Sequence, residues 1–348
     1  MPGRLSTRWV ADILSRFKSA VAQSPSISAA LAVKINRARG VCPSSVSTFR
    51  NSLSRRQLNK GYADSTITGT QVGILTSART DQPGPNIVLD NVVASGVGVF
   101  LQQEGGKVIL TGAPGGVWTS GMRYIGGKGS KPQGSVPGLP AKDPSLMSNG
   151  KLFVKSRPQY QDLGSGNFLV ATDQGIANDG KTDQRDKINA FLATAAARGQ
   201  VAYFPAGIYL VADTVNVPVG SKIQGASWSQ IMGTGPNFGD IKNPRVMVKV
   251  GNAGDVGSLE IVEMLFTVKG PTAGAILLEW NVKASSAGAA GMWDTHFRVG
   301  GALGSDLDMS KCAKGTVSDD CIAASLLFHV TKQSSGYFEN VWVWTADQ

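Results

Sequence analysis

The sequence predicts an all-β fold, a right-handed parallel β-helix capped by one α-helix at about residues 183–198. Two observations lead to this prediction. A single segment has the apolar period of an amphipathic helix, and short strands broken by Gly and Pro follow it to the end of the 348-residue chain. Glycine is frequent, with 43 residues, and charged residues make up only 17% of the chain, as is typical of an all-β chain with many turns.

The predicted cap has a start signal, an apolar face and a stop signal. Asn178-Asp179-Gly180 is typical of a turn, and Thr182 or Asp183 can accept a hydrogen bond from a free N–H of the first helical turn. Gly199 follows, where helices end in the left-handed conformation. Such a helix covers the first sheet edge of a β-helix, which is otherwise exposed. The apolar face has i, i+3, i+4, i+7 spacing and consists of Ile188, Phe191, Leu192 and Ala195.

Short strands of a recurring form surround the predicted helix. Val201–Phe204 and Ile208–Val211 are predicted strands on either side of a Pro-Ala-Gly turn. The stretches 87–93, 259–266 and 337–344 each contain a strand, a polar pair at a bend and a second strand. Their spacing is irregular, so they predict degenerate coils rather than a repeat of fixed period.

The positive charge is concentrated at the start of the chain. The formal net charge is +10, and residues 1–60 contain eleven Lys or Arg and one acid, Asp12, which accounts for all of it. The rest is neutral and has no basic stripe for phosphate, so we expect no nucleic-acid partner. Residues 1–60 are rich in Ser and Arg and are predicted to be disordered, with a mitochondrial transit peptide as the alternative. Neither a secretory signal nor a transmembrane segment is visible, and we expect no membrane partner.

Several motifs resemble known families. The turn Asn178–Asp183 and the strand pair Tyr203–Tyr209 resemble the opening of the pectate-lyase-like β-helix superfamily. A narrower resemblance, over about residues 65–348, is to fungal exo-β-1,3-glucanases of glycoside hydrolase family 55. The motifs that carry it are Ser156–Tyr160, Ile231–Gly235, Met264–Gly274, Gly291–Gly301 and Ser335–Asp347.

The glucanase resemblance implies a domain organisation. Members of that family contain two tandem β-helices. Residues 61–120 are then the last coils of a first β-helix, 121–166 a Gly/Pro-rich linker, and 167–348 the opening part of a second, truncated β-helix. We therefore expect the chain to be a fragment.

The resemblance also implies an inverting glycosidase that releases glucose from β-1,3-glucan. Such an enzyme needs a general acid and a basic group that holds water on the opposite face of the sugar. The resemblance places the acid beyond Gln348, so the catalytic residues stay unknown and we expect the chain to be inactive or impaired. The alternatives are a non-catalytic polysaccharide-binding β-helix and a pectate-lyase-like enzyme. The latter needs clustered Asp for Ca²⁺, for which the sequence offers only Asp319-Asp320.

The candidate substrate-binding residues are Trp344, Trp342 and Asp347. The two Trp alternate with Val, so both point to one face of a strand, where an indole can stack on the C–H face of a sugar. The alternative is that they pack in the β-helix core. Weaker candidates are Asp294 and His296, two residues apart and predicted on one face of a strand, and Glu339.

Cys312 and Cys321 flank an eight-residue loop, which suits a disulfide of a secreted protein. With two His and no clustered Cys, the sequence indicates no metal site, and we expect no cofactor. The resemblance implies an extracellular protein whose partner is β-1,3-glucan or a related polysaccharide. We expect it to be a monomer.

Overall fold

A computed structural model of the chain describes residues 49–50, 60–76, 86–131, 133–315 and 318–346. Most of the predicted tail at 1–60 and the candidate Asp347 lie outside the described residues. The chain divides into two compact units, with the boundary between Phe153 and Val154.

The first unit contains twelve described strands and one 3₁₀ turn, Pro144–Leu146. The strands are β1 (Phe49–Arg50), β2 (Lys60–Ala63), β3 (Thr66–Thr76), β4 (Ile87–Asp90), β5 (Val93–Gln103), β6 (Val108–Leu110), β7 (Trp118–Ser120), β8 (Arg123–Ile125), β9 (Lys128–Ser130), β10 (Gln133–Ser135), β11 (Met147–Ser148) and β12 (Lys151–Leu152).

Pairing in the first unit changes from parallel to antiparallel along the chain. Strands β1, β3 and β5 pair in parallel, as do β2 and β4, whereas the pairs formed by β6 to β12 are antiparallel. Strands β8 to β12 lie within residues 121–166, where the sequence predicts a linker. A small apolar core fills the unit and consists of Ile67, Ile74, Ile87, Leu89, Val92, Phe100, Leu101 and Trp118.

The second unit contains the described α-helix and fifteen strands. These are β13 (Phe168–Val170), α1 (Arg185–Ala197), β14 (Val201–Tyr203), β15 (Gly207–Val211), β16 (Val215–Val217), β17 (Lys222–Gly233), β18 (Arg245–Val250), β19 (Val256–Gly257), β20 (Leu259–Val268), β21 (Ala275–Trp280), β22 (Lys283–Ala284), β23 (Ala290–Trp293), β24 (His296–Val299), β25 (Leu326–Val330), β26 (Tyr337–Glu339) and β27 (Trp342–Thr345). Short 3₁₀ turns occur at Ser165–Asn167, Thr172–Gln174, Pro236–Phe238 and Asp319–Cys321.

Every strand pair described in the second unit is parallel. One sheet has the order β13-β14-β17-β20-β23-β26, and β15, β24 and β27 extend it beyond the bends. A second sheet has the order β16-β18-β21-β25, and β19 pairs with β22. Successive coils therefore stack strand on strand, and the predicted all-β parallel β-helix is confirmed.

Inward side chains of successive coils form three ladders, whose members, apart from the exposed Val343, lie in the core or pack against it. Their aromatic rings stack directly, since the centroids of Phe266 and Phe297 are 5.3 Å apart and those of Phe297 and Phe328 are 5.2 Å apart. The first ladder is Tyr209, Ile231, Phe266, Phe297 and Val343; the second is Ala202, Ile223, Ile261, Met292 and Phe338; the third is Val215, Val248, Leu278 and Phe328.

Helix α1 covers the start of this stack, as the sequence predicts. All four predicted apolar residues are buried, and the Phe191 ring packs edge-on against Phe204 with centroids 5.3 Å apart. The Asp183 carboxylate accepts hydrogen bonds from the backbone N–H groups of Arg185 and Ala212, both at 3.0 Å. Gly199 ends the helix at φ +66°.

The polar pairs of the sequence lie at bends between consecutive strands. Glu263, Asp294 and Asn340 adopt the left-handed conformation, with φ between 50° and 55°. Asp64 and Asn91 do the same in the first unit, with φ of 49° and 52°. Asp and Asn tolerate this conformation because their short polar side chains can hydrogen-bond locally. A column of polar residues therefore marks one corner of the coils.

Candidate functional site

Four strands of the second unit carry side chains that point away from the core in aligned rows. We use the name outward face for the side chains of β17, β20, β24 and β27 that point away from the inner ladders. Alternation along each strand selects them, and parallel register aligns them in two rows. One row is Gln230, Leu265, His296 and Trp342; the other is Met232, Thr267, Arg298 and Trp344. Leu265, Met232 and Thr267 are buried, whereas the other five side chains are half-buried.

Trp342 and Trp344 form a stacked pair at one end of the outward face. Their ring centroids are 5.3 Å apart and the planes differ by 13°. The inner ladder runs through Val343 between them, so both indoles lie outside the core and both are half-buried. The alternation of Trp with Val in the sequence places both indoles on the same side of the strand. Their assignment to sugar binding stays a prediction.

Two cationic or titratable side chains pack against the indoles. The Arg298 guanidinium lies 4.9 Å from the ring centroid of Trp344. His296 meets Trp342 edge-on, with centroids 5.7 Å apart. Burial lowers the pKa of His296 and outweighs the opposing effect of Asp294, and burial also lowers the pKa of Arg298. We call the two stacked indoles, with Arg298 and His296 beside them, the platform. The platform therefore combines apolar ring surface with hydrogen-bonding groups.

Asp294 does not share a strand face with His296, and that prediction is wrong. Asp294 lies at the bend between β23 and β24, with φ of 50°. The left-handed residue reverses the alternation, because it turns the chain out of the extended conformation. Its carboxylate accepts hydrogen bonds from the Arg157 guanidinium at 2.9 Å and from the Asn340 amide at 3.0 Å.

Arg157 holds the column of bends together. Its Nη1 donates to Glu263 Oε1 at 2.5 Å as well as to Asp294, and the Gln224 amide donates to Glu263 at 3.3 Å. Arg157 precedes β13, and its partners are 106 and 137 residues away in the chain. The segment before β13 is therefore fixed to the coils by charge-assisted hydrogen bonds.

The remaining carboxylates near this corner are also bonded. The Tyr337 hydroxyl donates to Glu339, and the Tyr160 hydroxyl donates to Glu260 at 2.8 Å. Burial and the neighbouring carboxylate raise the pKa of both phenols. Lys155 lies 3.7 Å from Glu260. Glu339, a candidate from the sequence, is thus a half-buried acceptor next to the bend at Asn340.

Cys312 and Cys321 form a disulfide, with Cα atoms 5.7 Å apart. It lies in the segment between β24 and β25, in which Leu307 and Cys312 are buried. In the part of the chain that the structure describes, no group of three or more His, Cys, Asp or Glu side chains could hold a metal ion. The helix found among the described residues is not long and apolar enough to cross a membrane.

Sequence reasoning missed the roles of Arg157, Arg298 and Tyr160. The signals were present, because Arg157 and Tyr160 lie in the motif Ser156–Tyr160 and Arg298 lies in the motif Gly291–Gly301. Their partners could not be named, since contacts across more than a hundred residues depend on the register of the coils.

The comparisons with known proteins fit this class of fold. Residues 168–255 match the family model described as Rhamnogalacturonase A/epimerase, pectate lyase-like. These residues include α1 and the first coils of the second unit. The second unit is thus similar to pectate-lyase-like β-helix proteins, as the Asn178–Asp183 turn indicates.

Three individual relatives show which proteins the chain is similar to over more of its length than the family model covers. The chain is 36% identical over 293 residues to Glucan 1,3-beta-glucosidase of Cochliobolus carbonum, covering 82% of the chain and 37% of the relative. It is 42% identical over 221 residues to Probable glucan endo-1,3-beta-glucosidase of Arthroderma benhamiae, an alignment that covers 62% of the chain and 24% of the relative. It is 41% identical over 295 residues to Non-secreted LysM effector LysM15 of Penicillium expansum, an alignment that covers 82% of the chain and 21% of the relative.

The resemblance to fungal glucanases is therefore confirmed at the level of sequence similarity. The chain spans 21% to 37% of the length of the curated relatives it matches.

Proposed function

We propose that this chain binds β-1,3-glucan on the outward face of its second unit, and that binding serves a glucan 1,3-β-glucosidase-type activity. The observation that carries the proposal is the stacked, half-buried pair Trp342 and Trp344 outside the core. The relatives named as glucan 1,3-β-glucosidases support the choice of polysaccharide.

The chemistry of the platform suits a sugar. A pyranose ring has apolar C–H faces that stack on an indole, and about 100 Å² of buried apolar surface contributes roughly 2.5 kcal/mol. Arg298 and His296 supply hydrogen-bonding groups beside the rings. A neutral His296 can donate to or accept from a hydroxyl, which suits an uncharged ligand.

Hydrolysis needs a proton donor at the leaving oxygen, worth about 10²–10⁴-fold in rate. Three carboxylates at the bends that precede β24 and β27 or the bend within β20 already have partners: Arg157 binds Glu263 and Asp294, and Tyr337 binds Glu339. This observation favours the second candidate, a polysaccharide-binding β-helix that is not itself catalytic. The first carboxylates to substitute are Glu339, Asp294 and Asp347.

Calorimetric titration with laminari-oligosaccharides tests binding. We expect weak affinity, in the millimolar range or about −4 kcal/mol. Trp344→Ala should lower it about tenfold or more. Val343→Ala, in the same strand but on the inner ladder, is the matched control, and a β-1,4-linked oligosaccharide is the ligand control. Unchanged affinity in Trp344→Ala would contradict the proposal.

Glucose release from the same oligosaccharides separates the two candidates. Release that is abolished by one of Glu339→Gln, Asp294→Asn or Asp347→Asn supports a glucosidase. Binding without release supports the non-catalytic alternative.

We also propose that the protein matures in an oxidising compartment, as an extracellular protein does. The Cys312–Cys321 disulfide supports this, because such bonds persist where thiols are not kept reduced.

A further inference from the structure

The chain between β7 and β10 of the first unit forms a second pair of strands. Ser120 of β7 pairs with Gln133 of β10, and β8 and β9 continue this antiparallel hairpin beyond them. Gly126 and Gly127 connect β8 to β9, with φ of 55° and 77°. Two-residue loops with positive φ at both positions match the twist of a hairpin. A regular hairpin tip, which consists of β8, β9 and their turn, therefore occupies part of the predicted linker.

The hairpin tip is fixed to the first unit where β8 begins. The Met122 N–H donates a hydrogen bond to Asn86 Oδ1 at 2.8 Å. Gly121 has a φ of 124°, and a Cβ there would lie 1.9 Å from the same oxygen, an approach that only glycine permits. Among the described strands, β8 and β9 pair only with each other, and neither contributes a residue to the described apolar core. The tip is therefore held in place without being part of the core.

Tyr124 gives one face of the hairpin tip an exposed aromatic ring. It pairs with Gly129 across the two strands. A Cβ at Gly129 would lie 2.9 Å from Tyr124 Cε1 and 3.1 Å from the Met122 methyl group, so both side chains lie over the glycine. Tyr124 is 69% exposed and Met122 is 37% exposed. This face thus presents an apolar surface beside a phenolic hydroxyl.

The opposite face of the hairpin tip is cationic. Arg123 precedes Tyr124, and Lys128 precedes Gly129, so alternation along each strand points both cations away from the aromatic face. Lys128 is exposed and Arg123 is half-buried, and the exposed Lys131 follows β9. The two strands are therefore aromatic on one side and positively charged on the other.

The cations of the hairpin tip have no nearby acid in the sequence to balance them. Residues 105–142 contain five Lys or Arg and neither Asp nor Glu. Lys142, at the end of this stretch, has a carboxylate partner. No ion pair of Arg123, Lys128 or Lys131 occurs within the described part of the chain. The neutral sum of charges after residue 60 thus conceals a local positive excess.

We propose that the hairpin tip binds a polysaccharide that carries carboxylate groups. This activity goes beyond the glucan binding proposed for the second unit. The planar guanidinium of Arg123 matches a carboxylate with two parallel hydrogen bonds, and Lys128 and Lys131 add positive charge. The Tyr124 ring supplies a flat apolar surface on which the C–H face of a sugar stacks. An uncharged glucan uses only the aromatic face.

A single-stranded nucleic acid also combines anions with flat rings, but it is held by a basic groove that follows several phosphates. The tip offers three cations, whereas residues 61–348 together are neutral, so no such groove is indicated. The Cys312–Cys321 disulfide also favours an oxidising compartment over the cytosol. These observations favour a polysaccharide over a nucleic acid.

Backbone amide NMR of the full chain during titration with a hexasaccharide of galacturonic acid tests the proposal. We expect saturable shifts of the Gly126, Gly127 and Gly129 signals. The apparent affinity should weaken at least about tenfold when NaCl rises from about 20 to about 300 mM, because salt screens exposed charges. A neutral β-1,3-linked hexasaccharide should leave these signals in place. This local readout separates the tip from the basic residues 1–60.

Two triple variants locate the binding. The first removes the three cations of the tip and is Arg123→Gln, Lys128→Gln, Lys131→Gln. The matched control removes three exposed cations from the second unit and is Lys242→Gln, Lys314→Gln, Lys332→Gln. We expect the first variant to weaken binding at least about tenfold, and the control less than about twofold. Tyr124→Ala should weaken binding about threefold, and Tyr124→Phe should restore most of that loss.

Equal affinities of the two triple variants would overturn the proposal, as would unchanged signals of the tip at high ligand concentration. Tighter binding of a single-stranded DNA hexanucleotide that shifts the same signals would overturn the choice of a polysaccharide. The tip lies outside the described apolar core, so every variant should melt at the temperature of the unaltered chain. A loss of binding is then a loss of contacts rather than of the fold.

Discussion

Arg157 connects the segment before β13 to the bends of two successive coils. Its guanidinium binds the half-buried carboxylates of Glu263 and Asp294, at 2.5 and 2.9 Å. Both bends are left-handed, and each carboxylate also accepts a side-chain amide, from Gln224 or Asn340. A cation at this point offsets the repulsion of two acids in adjacent coils.

Removal of the Arg157 side chain should therefore destabilise the second unit. We expect Arg157→Ala to cost about 1–3 kcal/mol, because two hydrogen bonds between charged groups are lost and two half-buried carboxylates lose their cationic partner. Denaturant unfolding measures the change. Arg198→Ala, at the exposed end of α1, is the control. Equal stability of the two variants would show that Arg157 contributes nothing beyond a surface charge.

His296 gives the second unit a specific pH dependence. Burial lowers its pKa in the folded protein from the ordinary value of 6.5, while Asp294 opposes that shift. The unfolded chain therefore binds the proton first, so this contribution to stability is complete above pH 6.5 and decreases as the pH falls below it.

We expect His296→Gln to flatten the stability profile just below pH 6.5, as measured by denaturant unfolding at several pH values. His329→Gln is the control, because His329 lies at the surface beside Glu279. Parallel profiles for the unaltered protein and His296→Gln would contradict this assignment.

For single residues, the sequence predicts the strand face of a side chain better than it predicts the residues that the side chain contacts. Trp342 and Trp344 could be placed on one face because alternation is a local property of a strand. Asp294 was misplaced, because one left-handed residue at a bend breaks that alternation and nothing in a single sequence marks it. The partners of Arg157 depend on which coils become neighbours.

At the scale of elements, helix α1 closes one end of the stacked coils. Its four buried residues contact the first coil, and Phe191 reaches Phe204, which in turn packs edge-on against Tyr209 at 5.1 Å. These contacts explain why one short helix is retained in an otherwise all-β unit. They cover an edge that otherwise exposes unpaired backbone groups.

We expect Phe191→Ala to destabilise the second unit by about 3–5 kcal/mol, since a buried aromatic side chain is replaced by a cavity. Thermal or denaturant unfolding measures the loss. Ala193→Ser, on the exposed side of the same helix, is the control. A loss below about 1 kcal/mol would mean that the helix does not act as a cap.

The loop closed by Cys312 and Cys321 is a second stabilising element. With a sequence separation of 9, the cross-link should contribute about 2–3 kcal/mol by restricting the unfolded chain. We expect the double variant Cys312→Ser, Cys321→Ser to lose that amount of unfolding free energy. In the unaltered protein, we expect the intact mass to rise by the mass of two hydrogens on reduction. Free thiols in protein recovered from an oxidising compartment would disprove the pairing.

Among the elements, a helix with local start and stop signals could be predicted from the sequence, whereas a bulge in a strand could not. Helix α1 was predicted within two residues at each end, because its period, turn and terminal Gly199 agree. The bulge of β17 between Gln224 and Ser229 was not predicted, since the strand Lys222–Gly233 contains no breaker other than Gly225. A bulge depends on the neighbouring coil, and that neighbour becomes known only in the folded chain.

At the scale of the molecule, the parallel register produces the outward face. Each coil contributes one strand, and residues far apart in sequence become neighbours in a row, as Gln230, Leu265, His296 and Trp342 do. The inner ladders set the rotation of every strand, because apolar side chains must point inward. The surface proposed for glucan is therefore a consequence of the same alternation that builds the core.

The most direct test of this account is the indole ¹H–¹⁵N spectrum of the full chain during titration with a β-1,3-linked hexasaccharide, with each signal assigned by a Trp→Phe variant. We expect the signals of Trp342 and Trp344 to shift with increasing ligand, while those of the core residues Trp118, Trp280 and Trp293 stay in place. Saturable binding with unchanged Trp342 and Trp344 signals would contradict it, because the glucan would then be bound elsewhere.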